Sequence, residues 1–335
     1  MSRILEIKQL TAGFRTDNGI IKAIDDVTFS VERGKTVCIV GESGSGKSVT
    51  SLSILRLIEF ENGMILNGEM NFEGENLVQK SNEEMCKIRG GQISMIFQEP
   101  MTALNPVFTI GKQICEAIRY HKKSSKAEAM KRARELLQLV GMSEPDIRLK
   151  QYPHELSGGM RQRAMIAMAL ASDPKLLIAD EPTTALDVTI QSQILTLLQD
   201  LKEKLNMSIL LITHDIGVAA EMSDRVVVMY AGKVLEEGSV YDIFDKPLHP
   251  YTIGLLRSIP TTDGDRTAKL PSIKGGIPNL TDMPTGCRFH PRCEYATSKC
   301  KQVEPPLERA NENRRIACWH YEAIANKEAV LTGGR

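Results

Sequence analysis

The chain has 335 residues, of which 42% are hydrophobic and 25% are charged, and its 42 Lys and Arg residues balance its 42 Asp and Glu residues. This length is typical of about two domains, and the composition is that of a folded globular protein, which excludes a disordered chain. Because the formal net charge is +0, no overall field favours a nucleic acid or an anionic membrane surface as partner.

Apolar segments are short throughout the chain. The longest runs, such as VVVMYA at 226–231, fall far below the roughly 18 residues of a membrane-spanning helix, and MSRILEIKQL lacks the apolar core of a signal peptide. We therefore expect a cytosolic protein that does not span the membrane. In a reducing compartment, clustered cysteines are more often metal ligands or redox groups than disulfides.

The first forty residues alternate apolar and polar side chains in runs that turn sequences interrupt. They predict strands at Ile4–Leu10, Ile21–Ile24, Val27–Val31 and Thr36–Val40. A helix is predicted at about Val49–Ile58.

Strand-like, turn-rich sequence follows between Met64 and Gln98, and a helical stretch begins near Pro106. Its best-defined helix lies in AEAMKRARELLQLVGM and ends at Gly141. The expected apolar face of this surface helix is Met130, Ala133, Leu136, Leu137 and Val140.

A buried strand, a helix and a second buried strand are predicted from about Lys175, in LLIA, TIQSQILTLLQDLKEKLN and MSILLITH. This order favours a parallel α/β sheet. A hairpin follows, with strands at Arg225–Tyr230 and Lys233–Glu236 around an Ala231-Gly232 turn.

The sequence after Asp245 loses its periodicity, and nine of the fifteen prolines fall between Pro247 and Pro306. We expect a small, loop-rich extension. A small unit with little core commonly needs a metal or a covalent link for stability.

A glycine-rich segment, GESGSGKS, follows the apolar strand TVCIV and precedes a helix. Its glycines let main-chain N–H groups surround a polyphosphate at a helix N-terminus, which makes a turn that binds nothing the weaker alternative. Lys47 is expected to reach the β- and γ-phosphates and Ser48 to bind Mg²⁺. The residues assigned to nucleotide are Gly41, Glu42, Ser43, Gly44, Ser45, Gly46, Lys47, Ser48 and Val49.

Two acids end the apolar strand of KLLIADEP. At the carboxyl edge of a sheet, Asp180 would hold Mg²⁺ and Glu181 would polarise the attacking water. Taken alone, such a pair is more often a solvated strand end or a helix cap, and only the phosphate loop favours the catalytic interpretation.

The segment LSGGMRQR, which begins at Leu156, predicts a helix opened by Ser157 and a Gly158-Gly159 pair with exposed N–H groups. Together with the phosphate loop and the Asp-Glu strand, it resembles the ATP-binding cassette (ABC) ATPases, whose signature reads LSGGQ. Met160 occupies the position of the glutamine. The resemblance covers about residues 1–240.

This resemblance implies roles for further residues. Gln98 is similar to the Q-loop glutamine that contacts Mg²⁺, and 185–187 resembles the D-loop, which assigns Asp187 to nucleotide. His214 is similar to the switch histidine that contacts the γ-phosphate. Phe14 lies where the family places an aromatic that stacks on adenine, although a core aromatic is the alternative.

Family members pair head to tail, which implies that Ser157, Gly158 and Gly159 of one subunit cover the ATP held by Lys47 of the other. The chain would therefore need a second ABC ATPase subunit, either a copy of itself or a paralogue. Met160 raises the possibility of a less active composite site if its side chain contacts nucleotide.

Three stretches, QEPMTALNP, HPYTIGLL and GCRFHPRC, resemble the ATP-binding subunits of dipeptide and oligopeptide ABC importers. The implied partners are two transmembrane permease subunits, fed by an extracytoplasmic peptide-binding protein, with no nucleic acid. The implied location is peripheral, on the cytoplasmic face of the cell membrane. The helical insert after Gln98 would dock on the permease.

Four of the seven cysteines cluster near the end of the sequence, separated by five, six and seventeen residues. The resemblance implies a [4Fe–4S] ligand set, although four thiolates also suit Zn²⁺, with His290 and His320 as substitutes, and unmetallated thiols remain an alternative. The assigned ligands are Cys287, Cys293, Cys300 and Cys318.

The sequence as a whole predicts an α/β fold: an ABC-type P-loop ATPase core at 1–244 with an antiparallel β subdomain and a helical subdomain at about 100–165, then a cysteine-containing extension at 245–335. The expected function is ATP hydrolysis that energises peptide import. Alternatives are an importer of nickel or another small solute, a soluble ABC ATPase acting on nucleic acid or ribosomes, and a redox-regulated subunit that barely turns over ATP.

Overall fold

The structure is a computed structural model that describes residues 2–17, 19–184, 186–259, 272–324 and 326. Its strands are β1 (Arg3–Thr16), β2 (Gly19–Glu32), β3 (Thr36–Val40), β4 (Gly63–Phe72), β5 (Glu75–Asn76), β6 (Ile93–Ile96), β7 (Leu176–Asp180), β8 (Ser208–Thr213), β9 (Arg225–Tyr230), β10 (Lys233–Ser239), β11 (Glu308–Asn311) and β12 (Arg314–Ile316). Its helices are α1 (Lys47–Ile54), α2 (Asn82–Ile88), α3 (Pro100–Ala103), α4 (Ile110–Lys122), α5 (Lys126–Leu139), α6 (Pro145–Arg148), α7 (Gly158–Ala169), α8 (Val188–Leu205), α9 (Ile216–Met222), α10 (Val240–Asp245), α11 (Pro250–Arg257) and α12 (Ser298–Gln302).

One compact unit comprises Leu5–Ser30, Val37–Asn71 and the described part of Thr213–Arg335. In it, β2, β1 and β4 are neighbours, and a second set of strands runs in the order β11-β12-β10-β9-β3. The strand β3 is buried along its whole length and pairs in parallel with β9, whereas β9 and β10 form the predicted hairpin. The phosphate loop therefore starts from a fully buried strand.

The other compact unit comprises Met1–Ile4, Val31–Thr36 and Phe72–Ile212. Here β7 lies between β6 and β8 and is parallel to both, as the sequence predicts. Every residue of β7 and β8 is buried, which is characteristic of a parallel sheet covered on both faces. The helices α2 to α8 belong to the same unit.

The long β2 corrects one prediction, because the two strands expected at 21–24 and 27–31 are a single strand. The apparent break is Asp26, which has a φ of 55° and whose N–H donates to Thr11 Oγ1 at 3.1 Å. An irregular residue inside a strand has the same sequence signal as a turn between strands.

Two further predictions about helices need correction. The helix α2 lies inside the segment expected to be strand-like, and Ser81 and Glu84 form a reciprocal capping box at its start. Met130, which is expected on the apolar face of α5, is 38% exposed, while Ala133, Leu136 and Leu137 are buried.

The extension after residue 244 contributes to a sheet. Its strand β12 pairs antiparallel with β10, with Ile316 opposite Glu236. The buried side chains of Glu236 and Arg314 form an ion pair between these strands. The predicted domain boundary between residues 244 and 245 stays a prediction.

Candidate functional site

The phosphate loop depends on glycine at two positions. Gly41 has a φ of 155°, and a Cβ atom there would lie 2.1 Å from the Met229 carbonyl oxygen. Gly46 has a φ of 99°, and a Cβ atom there would lie 2.8 Å from Ile24 Cγ2. A larger residue at either position would force the loop away from its neighbours. The loop therefore keeps its shape only with the glycines that the motif supplies.

Lys47 is held inside this loop. Its Nζ donates to the carbonyl oxygens of Gly41 at 2.8 Å and of Glu42 at 3.1 Å, and the residue is only 5% exposed. Lys47 is also the first residue of α1, so its charge lies at a helix N-terminus. Both features favour a polyanionic ligand.

The other loop residues differ in exposure. Ser45 is fully buried, and its carbonyl accepts from the Gly232 N–H at 2.9 Å. None of the described residues forms a hydrogen bond with its hydroxyl. A buried hydroxyl without a partner is uncommon, and a bound ligand is one of the groups that can supply the missing bond. Exposed loop residues are Ser43 and Gly44, and half-buried ones are Glu42, Gly46, Ser48 and Val49.

Glu181 follows the end of β7 in a left-handed conformation, with a φ of 46°. Its carboxylate oxygen Oε2 accepts from Gln98 Nε2 at 2.9 Å and from Thr184 Oγ1 at 3.0 Å. Its N–H donates to the Ile212 carbonyl at 2.9 Å, which holds the residue beside the end of β8. The structure thus joins Gln98 to Glu181, whereas the sequence assigned Gln98 to Mg²⁺. Asp180, the last residue of β7, is 5% exposed.

Ser157 caps α7 through its hydroxyl, which accepts from the Met160 N–H at 3.3 Å. Ser157 and Gly158 are exposed, whereas Gly159 and Met160 are half-buried. The start of α7 therefore presents a glycine backbone at the surface, as the sequence predicts. The half-buried Met160 is the residue that differs from the family signature.

Asp187 caps α8, since its Oδ1 accepts from the Ile190 N–H at 2.9 Å. This gives Asp187 a structural role that the sequence did not predict. Ala185, the first residue of the predicted D-loop, lies outside the described residues.

His214 lies directly after β8 and is exposed. Phe14 lies on β1 and is half-buried, so it is not one of the fully buried core residues. Both positions leave part of the side chain accessible to a ligand.

A buried contact that the sequence did not reveal links α7 to the segment after β7. Gln162 is 2% exposed, and its Nε2 donates to the Pro182 carbonyl at 2.6 Å. The helix that begins at the glycine turn is therefore fixed to the residue that follows Glu181. No local pattern marks this glutamine, because its partner is a main-chain oxygen 20 residues away.

The four C-terminal cysteines lie around one small cavity of about 20 Å³, which is room for about one water molecule. All are free thiols. Burial, with a smaller contribution from the neighbouring cysteines, raises the pKa of Cys293 to about 11 and that of Cys318 to about 12. The thiols that share the cavity are Cys287, Cys293, Cys300 and Cys318.

Four thiols around one cavity form a metal site only if their sulfur atoms are placed to bind the same ion. Within the part of the chain that the structure describes, no group of three or more His, Cys, Asp or Glu residues is placed to hold a metal ion. The four cysteines expected as ligands thus lie around one cavity, but the expected iron–sulfur or zinc centre is not supported.

Comparison with known proteins identifies relatives that match nearly the whole chain. A family model described as "ABC transporter" matches residues 24–184, and one described as "Oligopeptide/dipeptide transporter, C-terminal region" matches residues 235–300. The Oligopeptide transport ATP-binding protein AppD of Bacillus subtilis (strain 168) is 54% identical over 322 residues, which cover 96% of this chain and 98% of AppD. OppD of the same organism, also an oligopeptide transport ATP-binding protein, is 52% identical over 95% of this chain and 89% of OppD.

Solved structures show the same fold. The dimeric post-hydrolysis state of the ATP-binding cassette MJ0796, bound to ADP and Pi, has a TM-score of 0.63 and 31% identity, and covers 70% of this chain and 98% of that one. The structure of cbiO1 from Clostridium perfringens, part of the ABC transporter complex cbiONQ, has a TM-score of 0.63 and 26% identity over 73% of this chain and 92% of that one. In the described ranges of this chain, no helix combines the length and the apolar character needed to cross a bilayer.

Proposed function

Since the chain belongs to the ABC transporter family of ATP-binding proteins and is an ATPase, we propose that its ATP hydrolysis drives the import of dipeptides and oligopeptides. The observation that carries this proposal is the match of residues 235–300 to the C-terminal region of oligopeptide/dipeptide transporters. Relatives named for oligopeptide transport, similar over nearly the whole chain, favour peptides over nickel or another small solute. They equally favour a transporter over an ATPase acting on nucleic acid or ribosomes.

We assign the phosphates of ATP to the loop from Gly41 to Ser48, with Lys47 as the charged group and Phe14 as the platform for adenine. Mg²⁺ bound with the nucleotide would neutralise phosphate charge, and Ser48, Asp180 and Gln98 are the residues that we assign to it. Hydroxyl, carboxylate and amide oxygens are the donors that Mg²⁺ prefers. The Gln98 amide nitrogen donates to Glu181, which leaves the amide oxygen as the donor atom for a metal.

Glu181 is assigned to the attacking water, which it would orient and polarise for in-line attack on the γ-phosphate. Gln98 and Thr184 support this role because both donate to the carboxylate and so fix its orientation. His214 is assigned to the γ-phosphate, where an imidazole can donate to the oxygens that gain charge.

A complete site is proposed to need two subunits, either two copies of this chain or this chain and a paralogue. Ser157, Gly158 and Gly159 of one subunit, with Asp187, would then cover the nucleotide bound by the other. The exposure of Ser157 and Gly158 supports this assignment, since a turn already covered within its own chain could not serve a partner. Because Met160 N–H is used by the Ser157 cap, replacement of glutamine by methionine keeps the main-chain geometry of the turn.

The proposed membrane partners are two permease subunits, which receive peptide from an extracytoplasmic binding protein. The ATPase would bind them peripherally, on the cytoplasmic face. The helices between α3 and α7 are assigned to this contact because Gln98, at the start of that region, also contacts Glu181. A single residue thus lies next to both the proposed docking region and the proposed catalytic group.

For the four C-terminal cysteines, we propose a [4Fe–4S] cluster, with Zn²⁺ as the alternative. Support comes from their number, from their position around one cavity and from their free state. The cavity of about 20 Å³ is small for a cluster, so binding would require the thiols to move apart. Anaerobic purification with assays of iron, acid-labile sulfide and zinc tests this assignment, and a metal-free protein would overturn it.

Transport itself tests the function. Vesicles that contain the cognate permease, with this ATPase inside and the peptide-binding protein outside, should take up labelled oligopeptides only with ATP. Lys47→Ala should abolish uptake, because the loop loses its ammonium. Uptake of nickel but not of peptide would contradict the proposed substrate class, and uptake that is independent of Lys47 would contradict the proposed energy source.

A further inference from the structure

A salt bridge joins the cysteine motif to the phosphate loop. Arg292, next to Cys293, donates from Nη1 to Glu42 Oε2 at 2.6 Å and from Nη2 to Glu42 Oε1 at 3.0 Å. Its side chain is 5% exposed, whereas that of Glu42 is 32% exposed. A two-pronged arginine–carboxylate pair fixes both distance and orientation. Glu42 is the second residue of the loop, so the C-terminal region holds the loop directly.

Tyr251, in the HPYT segment, makes a second link to the same residue. Its hydroxyl accepts from the Glu42 N–H at 2.9 Å. The Glu42 carbonyl in turn accepts from Lys47 Nζ at 3.1 Å. The Glu42 carbonyl also accepts from the Ser45 N–H at 3.2 Å. The carboxylate, the N–H and the carbonyl of Glu42 are therefore all bonded, and two of these four partners, Arg292 and Tyr251, come from the C-terminal region.

Aromatic packing keeps these two partners in place. The rings of Tyr230, Tyr251 and Phe289 lie within 4.8 to 5.3 Å of one another, measured between centroids. The Arg292 guanidinium lies over Tyr230, 5.6 Å from its centroid. Tyr230 and Tyr251 are fully buried. Because both are fixed in a packed core, neither Arg292 nor Tyr251 moves without disturbing several neighbours.

Charge gives this arrangement a functional consequence. A carboxylate in a loop that binds a polyphosphate repels the ligand, and Glu42 is such a carboxylate. Arg292 neutralises the charge of Glu42, so the pair has no net charge. The main-chain hydrogen bond to Tyr251 acts separately, because it fixes the backbone on which the phosphate-binding N–H groups depend.

We propose that Arg292 and Tyr251 are positioning residues of the ATP site, through which the cysteine-containing C-terminal region sets the affinity of the phosphate loop for nucleotide. Arg292 does so by cancelling the charge of Glu42, and Tyr251 by anchoring its N–H group. The proposal rests on the proposed binding of ATP by this loop. The HPYT and CRFHPRC segments would then help to bind nucleotide, through Tyr251 and Arg292, whether or not the cysteines hold a metal.

The test is a comparison of MgATP affinities, measured by calorimetry on the purified full chain. Arg292→Ala should weaken binding about ten-fold, which is the size of one charge-assisted interaction. Glu42→Gln in the Arg292→Ala background should restore most of that loss, because it removes the unpaired carboxylate. AMP affinity should change less than ATP affinity, since repulsion grows with ligand charge.

Two further variants separate positioning from general stability. Arg315→Ala is the matched control, because Arg315 is also an arginine of the C-terminal region but pairs with Glu237 and donates to the Thr28 carbonyl, outside the loop. It should leave MgATP affinity unchanged. Tyr251→Phe removes one hydroxyl and should weaken MgATP binding several-fold without lowering the unfolding temperature by more than a few degrees.

Each outcome has a defined meaning. Wild-type affinity in both Arg292→Ala and Tyr251→Phe would overturn the proposal, as would an Arg292→Ala defect that Glu42→Gln does not relieve. An equal loss in Arg315→Ala would show a general effect of the C-terminal region and would also overturn it. Failure of the wild-type chain itself to bind MgATP would instead contradict the proposed function. If Arg292→Ala does not fold, Tyr251→Phe and the Glu42→Gln variant in an Arg292→Lys background give the same comparison.

Discussion

The side-chain amide of Gln98 donates a 2.9 Å hydrogen bond to the carboxylate of Glu181, 83 residues further along the chain. Thr184 donates to the same oxygen, and the main chain of Glu181 is held in a left-handed conformation. Such conformations persist where surrounding contacts enforce them, and they are concentrated at functional sites. The proposed base is thus oriented by residues of its own chain.

Glu181→Gln should abolish steady ATP turnover while MgATP binding is retained. The amide has nearly the shape of the carboxylate but cannot polarise the attacking water, so the loss should be at least about 100-fold in kcat. Phosphate release and nucleotide binding, measured on the same preparation, check this. Turnover at the wild-type rate would show that another residue is the base.

Gln98→Ala should lower kcat by about ten-fold or more, because the Glu181 carboxylate loses the hydrogen bond that Gln98 donates. Gln98→Glu should be worse, since it places a second carboxylate beside the first. Nucleotide affinity should change less than kcat if Gln98 acts mainly on Glu181. A change in affinity alone would instead assign Gln98 to Mg²⁺ only.

His249 should make the C-terminal region sensitive to acid. Its Nδ1 accepts from the Tyr251 N–H at 3.0 Å, and burial lowers the pKa of His249 from 6.5 to about 3. In the unfolded chain His249 is protonated below about pH 6.5, whereas in the folded chain it stays neutral down to about pH 3. The free energy of unfolding is therefore highest above pH 6.5 and decreases as the pH falls from 6.5 to 3.

At pH 5.5, one unit below 6.5, protonation of His249 in the unfolded chain should lower the free energy of unfolding by about 1.4 kcal/mol. Urea unfolding at pH 7.5 and at pH 5.5 measures it. His249→Asn keeps an acceptor near the Tyr251 N–H but cannot titrate in this range, so its loss between the two pH values should be smaller by that amount. An equal loss in wild type and variant would assign the acid sensitivity to other groups.

Arg314→Leu should be strongly destabilising. Arg314 is 4% exposed and Glu236 is fully buried, and Glu236 also accepts from the N–H groups of Leu248 and His249. Removal of the arginine leaves a buried carboxylate without its charge partner, which typically costs about 3–5 kcal/mol. Thermal and urea unfolding measure this, with the exposed Arg309→Leu as control. Equal stability of the two variants would contradict a structural role for the pair.

The sequence predicted the parts of the site that local patterns determine. The strand Thr36–Val40 has the predicted bounds, and Asp180 ends β7 as expected, because a fully buried strand next to a glycine-rich or acidic motif has few alternative structures. The hairpin around Ala231 and Gly232 was also predicted, since its two strands and turn are contiguous.

Long-range pairs escaped prediction for a physical reason. Glu42 and Arg292 are 250 residues apart, and nothing in either local sequence indicates that two charged residues meet. The helix α2 is different, because Ser81 and Glu84 form a capping signal that the local sequence does contain. Asp26 is a third case. It has a positive φ within a continuous strand, and the local sequence there has the same composition as a turn between two strands.

The pairing of β12 with β10 has a consequence for biosynthesis. The phosphate loop and β10 are synthesised before residues 314–316. Until β12 is made, β10 has an unpaired strand edge, and the Glu236 carboxylate has no arginine partner from β12. Open edges of this kind attract other chains. We therefore expect the nascent protein to be prone to aggregation after β10 emerges, and a chain that terminates before Arg314 would keep this strand edge open.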